Sequence, residues 1–213
     1  VGADGLARFA CPPPWPPHEW FAEAEAIGRA TELELTAITT ALERVGDLPG
    51  DAFLALNTSP ATATSPDLEA VLGPHPGERV VLELTEHTPV SDYDALLDAL
   101  ERHRRRGVRV AVDDTGTGYA SFEHLLRLRP HILKLDSALT RGIHADPVRR
   151  SLAAALVTFA AEIGATIIAE GIELAGELST LRHLGIGWGQ GYHLARPGPL
   201  PLPAVRLAAS PGH

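Results

Sequence analysis

Val108-Arg109-Val110-Ala111-Val112-Asp113-Asp114 is a short, apolar, largely β-branched run that ends on two adjacent acids. Runs of this length and near-continuous hydrophobicity read as parallel strands covered on both faces. The same pattern recurs on either side. Upstream lie Phe53–Asn57 (FLALN) and Val80–Glu86 (VVLELTE), with the opening residues Val1–Arg8 as a further candidate. Downstream lie Ile132–Asp136 (ILKLD), Thr166–Glu170 (TIIAE) and a weaker stretch, Gly189–Leu194.

Helical patterns separate these runs. Ala22–Val45 is rich in Ala, Glu and Leu, with a break expected at Gly28. Asp92–Arg106 sets Tyr93, Leu96, Leu97 and Leu100 on one face and ends in arginines before Gly107, which are stop signals. Phe122–Leu128, Pro147–Ile163 and Ala175–Leu184 complete the set, with Pro147 placed as a first helical residue after Asp146. Cys11–Pro17 (CPPPWPP) is too proline-dense for helix or central strand.

Strand–helix alternation predicts an α/β fold, either a doubly wound sheet or a TIM-like (β/α) barrel. The polar residues favour the barrel. Asn57, Glu83, Glu86, Asp113, Asp114, Lys134, Asp136, Glu170, Glu173 and Gln190 all fall at or just after the C-terminal ends of predicted strands. Barrels keep their active sites there, whereas a doubly wound sheet concentrates ligands at one switch point.

Composition narrows the function. At 213 residues the chain fits one domain, and no stretch approaches the ~18 apolar residues of a membrane-spanning helix. A formal net charge of −9 argues against binding DNA, RNA or an anionic membrane. An anionic substrate would then need bound cations to invert the local field. Cys11 is the one cysteine and is expected to be a small, partly buried residue rather than a nucleophile. Of 18 basic residues, 17 are arginine and one is Lys134.

Carboxylates and an amide carbonyl are hard oxygen donors suited to Mg²⁺ or Mn²⁺. Acids on buried strands are costly unless paired or metal-bound. Taken alone, Asp113-Asp114 reads equally well as a helix cap beside a solvated acid. Glu83 alone reads as a satisfied strand-end residue, and Glu86 as a salt-bridge partner. The Gly-rich stretch Asp114–Tyr119 (DTGTGY) lacks the Gly-Lys-Ser/Thr of a Walker loop. The His residues lack metalloprotease spacing.

Six segments in order resemble those of EAL domains, which hydrolyse cyclic di-GMP. They are Leu56-Asn57-Thr58-Ser59-Pro60, Glu83-Leu84-Thr85-Glu86, Asp113–Tyr119, Leu133-Lys134-Leu135-Asp136, Ala169-Glu170-Gly171-Ile172-Glu173 and Gln190-Gly191-Tyr192. Any one is weak, but their order covers nearly the whole chain. The Glu-Ala-Leu motif itself reads Asp4-Gly5-Leu6 here, so the expected glutamate is an aspartate. Thr115 also stands where the family usually has Phe.

The resemblance implies a barrel of the EAL type, with an antiparallel first strand expected ahead of Val1. It implies one EAL-like domain over residues 1–213, cut from a longer, cytoplasmic multidomain signalling protein. It implies two metals, Mg²⁺ or Mn²⁺: Asp4, Asn57, Glu83 and Asp113 on the first, Asp113 and Asp114 on the second. Glu170 and Lys134 become catalytic. Arg8, Leu6, Gln190, Asp136 and Glu173 contact substrate or shape its pocket, and Glu86 positions the loop after Asp114. Cyclic di-GMP is the implied ligand and a homodimer the implied assembly. A receptor without turnover, and a domain used only for protein contacts, remain the alternatives.

Overall fold

The computed structural model describes residues 2–11, 13–85, 90–115 and 121–198. Its chain order opens with β1 (Gly2–Asp4), α1 (Pro17–Ala26), α2 (Ala30–Leu42) and β2 (Phe53–Asn57). Two short helices follow, α3 (Pro60–Thr64) and α4 (Pro66–Leu72), then β3 (Val80–Thr85), α5 (Tyr93–Arg105), β4 (Arg109–Thr115) and α6 (Ser121–Leu128). The last third holds β5 (Ile132–Leu135), α7 (Ser137–Thr140), α8 (Pro147–Ile163), β6 (Thr166–Ala169), α9 (Ala175–His183) and β7 (Trp188–Gly189).

The sheet runs β1-β2-β3-β4-β5-β6-β7, every pair parallel. Sequential order without a reversal excludes the doubly wound alternative, which needs a switch point. The sheet is also strongly curled. In a flat sheet, four spacings of about 4.8 Å would put β5 some ~19 Å from β1. Yet Lys134 Nζ, on β5, lies 3.4 Å from the carboxylate of Asp4 on β1.

Side-chain alternation explains how this sheet makes both a core and a site. Leu54, Leu56, Leu82, Leu84, Val110, Val112, Leu133 and Leu135 pack outward into two large apolar clusters with the helices. The opposite parity faces inward. Phe53, Ala55, Val81, Ala111 and Ile132 form a small inner cluster with Ile168 packed against it. Two residues further along the same parity stand Asn57, Glu83, Asp113, Lys134 and Glu170. The barrel interior is therefore apolar at one level and ionic at the next.

Several sequence expectations need correction. The break expected at Gly28 is present, at φ +72° between α1 and α2, but α1 starts earlier, at Pro17, and α2 ends at Leu42. Pro17 thus opens a helix rather than closing the loop. α3 and α4 were not foreseen. Each starts on a Ser-Pro pair, with Ser59 and Ser65 accepting backbone N–H bonds as caps. The last strand is only Trp188–Gly189, so Gln190 follows it. Cys11 is exposed, not partly buried.

The arginine-heavy composition has a structural reason. Arg106 donates to the carbonyls of Glu69, Leu72 and Gly73 at the end of α4. Arg104 does the same for Leu128 and Arg129 after α6, and Arg79 for Leu48, Pro49 and Ala52. Helix ends and loops leave such carbonyls without partners. A planar fork with five donors serves two or three at once, which an ammonium on a flexible stem does poorly.

Among the described residues, Glu177 is the buried acid outside the ionic layer, 1% exposed. It takes N–H bonds from Gly142 (2.8 Å), Glu173 (2.9 Å) and Leu174 (3.0 Å). It thereby ties the segment after α7 to the loop between β6 and α9. Burial would raise its carboxyl, but these donors, Gly142 first, outweigh burial and hold it below the usual glutamate range. A depressed folded pKa gives stability that is present above the unfolded value and lost as pH falls through the folded one. Melting temperature followed from pH 7 to pH 3 should therefore show wild type losing its lead over Glu177→Gln below about pH 4.5. A constant gap would contradict the assignment.

Candidate active site

Lys134 is the hub of the ionic layer. Its side chain is 4% exposed. Its Nζ lies 2.7 Å from Glu170 Oε1, 2.9 Å from Glu83 Oε1, 3.4 Å from Asp4 Oδ2 and 3.6 Å from Asp113 Oδ1. The four acids come from β1, β3, β4 and the residue after β6. β-register explains the convergence. Thr85 pairs with Asp113, Asn57 with Glu83, and Lys134 with Ile168, two residues before Glu170. The strand ends thus sit at one level around the barrel.

The electrostatics follow from four carboxylates facing one ammonium in a buried setting. Burial lifts Glu83 to about 8; Lys134 opposes this, while Asp4 and Asp113 add to it. Burial likewise lifts Glu170 to about 7, again against Lys134 and with Asp113. Burial would lower Lys134, but Glu83, Asp4, Asp113 and Glu170 outweigh it and hold the ammonium above the usual lysine range. The acids need more positive charge than one lysine supplies.

The donor chemistry fits divalent cations: oxygen donors only, several anionic, on adjacent strand ends. Among the described residues, no three His, Cys, Asp or Glu side chains already form a cage for one ion. The acids are gathered on the Lys134 ammonium instead. Asn57 stands exposed at the end of β2, in register with Glu83. Asp114 is in β4, and its side chain lies outside the described ones. Glu86 and the Gly116–Tyr119 part of the Gly-rich stretch also lie outside the described residues.

The remaining candidates divide. Gln190 joins the site, its Nε2 donating to Glu170 Oε1 at 2.9 Å. Close packing holds it there: a Cβ on Gly191 would lie 2.2 Å from the Ile172 backbone nitrogen, so only glycine fits. Asp136 caps α7, its carboxylate accepting from the Ala138 N–H. Glu173 pairs with Arg141 at 3.0 Å on the surface. Arg8 is exposed and donates to the neighbouring Ala7 carbonyl, and Leu6 is 51% exposed. These four stand around the central cluster rather than in it.

Two positioning acids were missed. Glu177 carried a readable signal, an acid at the third position of a helix. Glu34 did not: it accepts from the Ser59 N–H and hydroxyl, both at 2.9 Å, across 25 residues of sequence. It fixes the turn that follows Asn57.

A curled parallel βα sheet with acids and a lysine at its strand ends defines a (β/α)-barrel protein with a cation-seeking centre. The EAL domain family model matches residues 6–197, and the chain belongs to that family. It is 36% identical over 126 residues to the probable cyclic di-GMP phosphodiesterase PdeD of Escherichia coli, covering 59% of this chain and 23% of that protein. The chain spans about a fifth of the length of the curated relatives it matches. Among solved structures, Klebsiella pneumoniae BlrP1 with manganese and cyclic di-GMP aligns at TM-score 0.80 and 31% identity, over 91% of this chain and 51% of that one. A standalone EAL protein from Vibrio cholerae in its c-di-GMP-bound form aligns at 0.84 and 25%, over 96% and 88%. Among the described residues no helix is long and apolar enough to cross a membrane.

Proposed function

We propose that this chain hydrolyses cyclic di-GMP to linear pGpG at the Lys134 centre, using divalent cations. The observation that carries this reading is the gathering of Asp4, Glu83, Asp113 and Glu170 within 3.6 Å of one buried ammonium at the barrel's strand ends. The relatives' names and the metal- and dinucleotide-bound neighbours support it.

In this reading Asp4, Asn57, Glu83 and Asp113 hold a first Mg²⁺ or Mn²⁺, and Asp113 with Asp114 holds a second. Bound cations lower the pKa of a water and neutralise charge on the phosphoryl oxygens. Glu170 takes a proton from the attacking water, with Gln190 fixing its carboxylate. Lys134 orients that water and offsets charge on the phosphate. The product pGpG keeps its phosphate on the 5′ side. The water oxygen therefore forms the new P–O bond, the P–O3′ bond breaks, and a proton ends on the 3′ oxygen.

Arg8 and Leu6 meet substrate at the rim. Asp136 and Glu173 shape the pocket through their loops, and Glu86 pins the loop after Asp114. Asp4 is one methylene shorter than glutamate, and a displacement of about 1 Å lowers rates on the order of 10²-fold. Turnover is thus slow, and Asp4 is the observation that favours the second reading, a cyclic di-GMP receptor. A homodimer through the segment after Asp114 is supported by the resemblance and by exposed Leu126 on α6. Chromatography of cyclic di-GMP incubated with purified protein and Mn²⁺ tests the main reading: pGpG is the expected product, and EDTA arrests its formation.

A further inference from the structure

We infer that the Lys134 ammonium competes with the first divalent cation for the same carboxylate oxygens, so that Lys134 holds down the centre's cation affinity. This rests on the catalytic reading above. Three of the four oxygens that face Nζ belong to Asp4, Glu83 and Asp113, the acids assigned to that cation. The lysine stem delivers Nζ to their point of convergence, and its side chain is 4% exposed.

Two positive centres drawing on one set of oxygens within a few ångströms repel each other, most strongly where water is excluded. One must yield for the other to bind. Lysine suits this role and arginine does not. Its single ammonium sits on four rotatable carbons and can swing aside, whereas a guanidinium holds a rigid fork. The chain uses arginine at 17 of its 18 basic positions and lysine only here. Several of its arginines are fixed on backbone carbonyls, as Arg79 and Arg106 are, and others pair with surface carboxylates, as Arg29 and Arg141 do. The one cation that must move is the one that is not arginine.

Calorimetric titration with Mn²⁺ alone, without nucleotide, tests this. Lys134→Met keeps the length and removes the charge. It should bind Mn²⁺ at least about 10-fold more tightly than wild type, while Lys134→Arg should bind no tighter. Equal or weaker binding by a natively folded Lys134→Met would overturn the inference, because Lys134 would then help to build the cation site. Absence of Mn²⁺ binding in wild type and variant alike would instead overturn the catalytic reading beneath it. A second readout needs no variant. With ¹³C-labelled lysine, Lys134 gives the one lysine signal, and saturating Mg²⁺ should move its ¹³Cε resonance as the ammonium leaves the acids. An unmoved resonance, under Mg²⁺ that calorimetry shows to be bound, would overturn the competition.

Discussion

Glu83→Gln should lower turnover by on the order of 10³-fold or more while leaving the melting temperature close to that of wild type. The loss follows from position. Glu83 is 2% exposed, faces Lys134 at 2.9 Å and sits between Asp4 and Asp113. Removing an anionic donor from the centre of a cation site forfeits several kcal/mol of transition-state charge stabilisation, and each ~1.4 kcal/mol is tenfold in rate. The stability half has the opposite logic. Burial already disfavours the charged form of Glu83, lifting its pKa to about 8, so a neutral group of the same shape is no worse a core residue. Lys134 keeps three other carboxylates. Steady-state kinetics beside thermal melts separate the two effects. A variant that is inactive because it no longer folds would contradict the assignment of Glu83 to chemistry.

Glu170→Gln should lower kcat by roughly 10²- to 10⁴-fold with little change in KM, the range for a lost general base. Glu170 is lifted to about 7 by burial, against Lys134 at 2.7 Å. A base must be deprotonated to act, so the rate should rise with pH through about 7. Bound cation favours the carboxylate and should move this limb to lower pH. The limb should be absent from the residual activity of Glu170→Gln. A limb of unchanged midpoint in the variant would assign it to another group.

Much of this was legible in the sequence because the period of a strand is two. Once Val108–Asp114 is read as a strand, Ala111 and Asp113 share a face, and so do Val81 and Glu83, or Ile132 and Lys134. The sequence therefore places the ionic layer directly above the inner apolar one. The solitary Lys134 among arginines was likewise a visible signal. A barrel was legible from the polar strand ends, but how tightly it curls was not. Nothing in residues 2–4 or 166–170 says that β1 and the end of β6 will reach one ammonium; that follows from how far the sheet curls. Helices α3 and α4 were hidden because each is only one or two turns long. They rest on Ser-Pro caps and, for α3, on the distant clamp of Glu34 on Ser59. Arg8 and Leu6 were placed by motif alone, and motifs carry no information about exposure. The structure sets both outside the cluster that Gln190 joins.

The claim on which the rest depends is that the acids around Lys134 hold cations that open a phosphodiester. The most direct measurement is the product formed from cyclic di-GMP by the purified chain, natively folded and loaded with Mn²⁺. Accumulation of pGpG, stopped by EDTA and restored by Mn²⁺, is the predicted result. Cyclic di-GMP recovered intact after prolonged incubation with natively folded, Mn²⁺-loaded protein would contradict it.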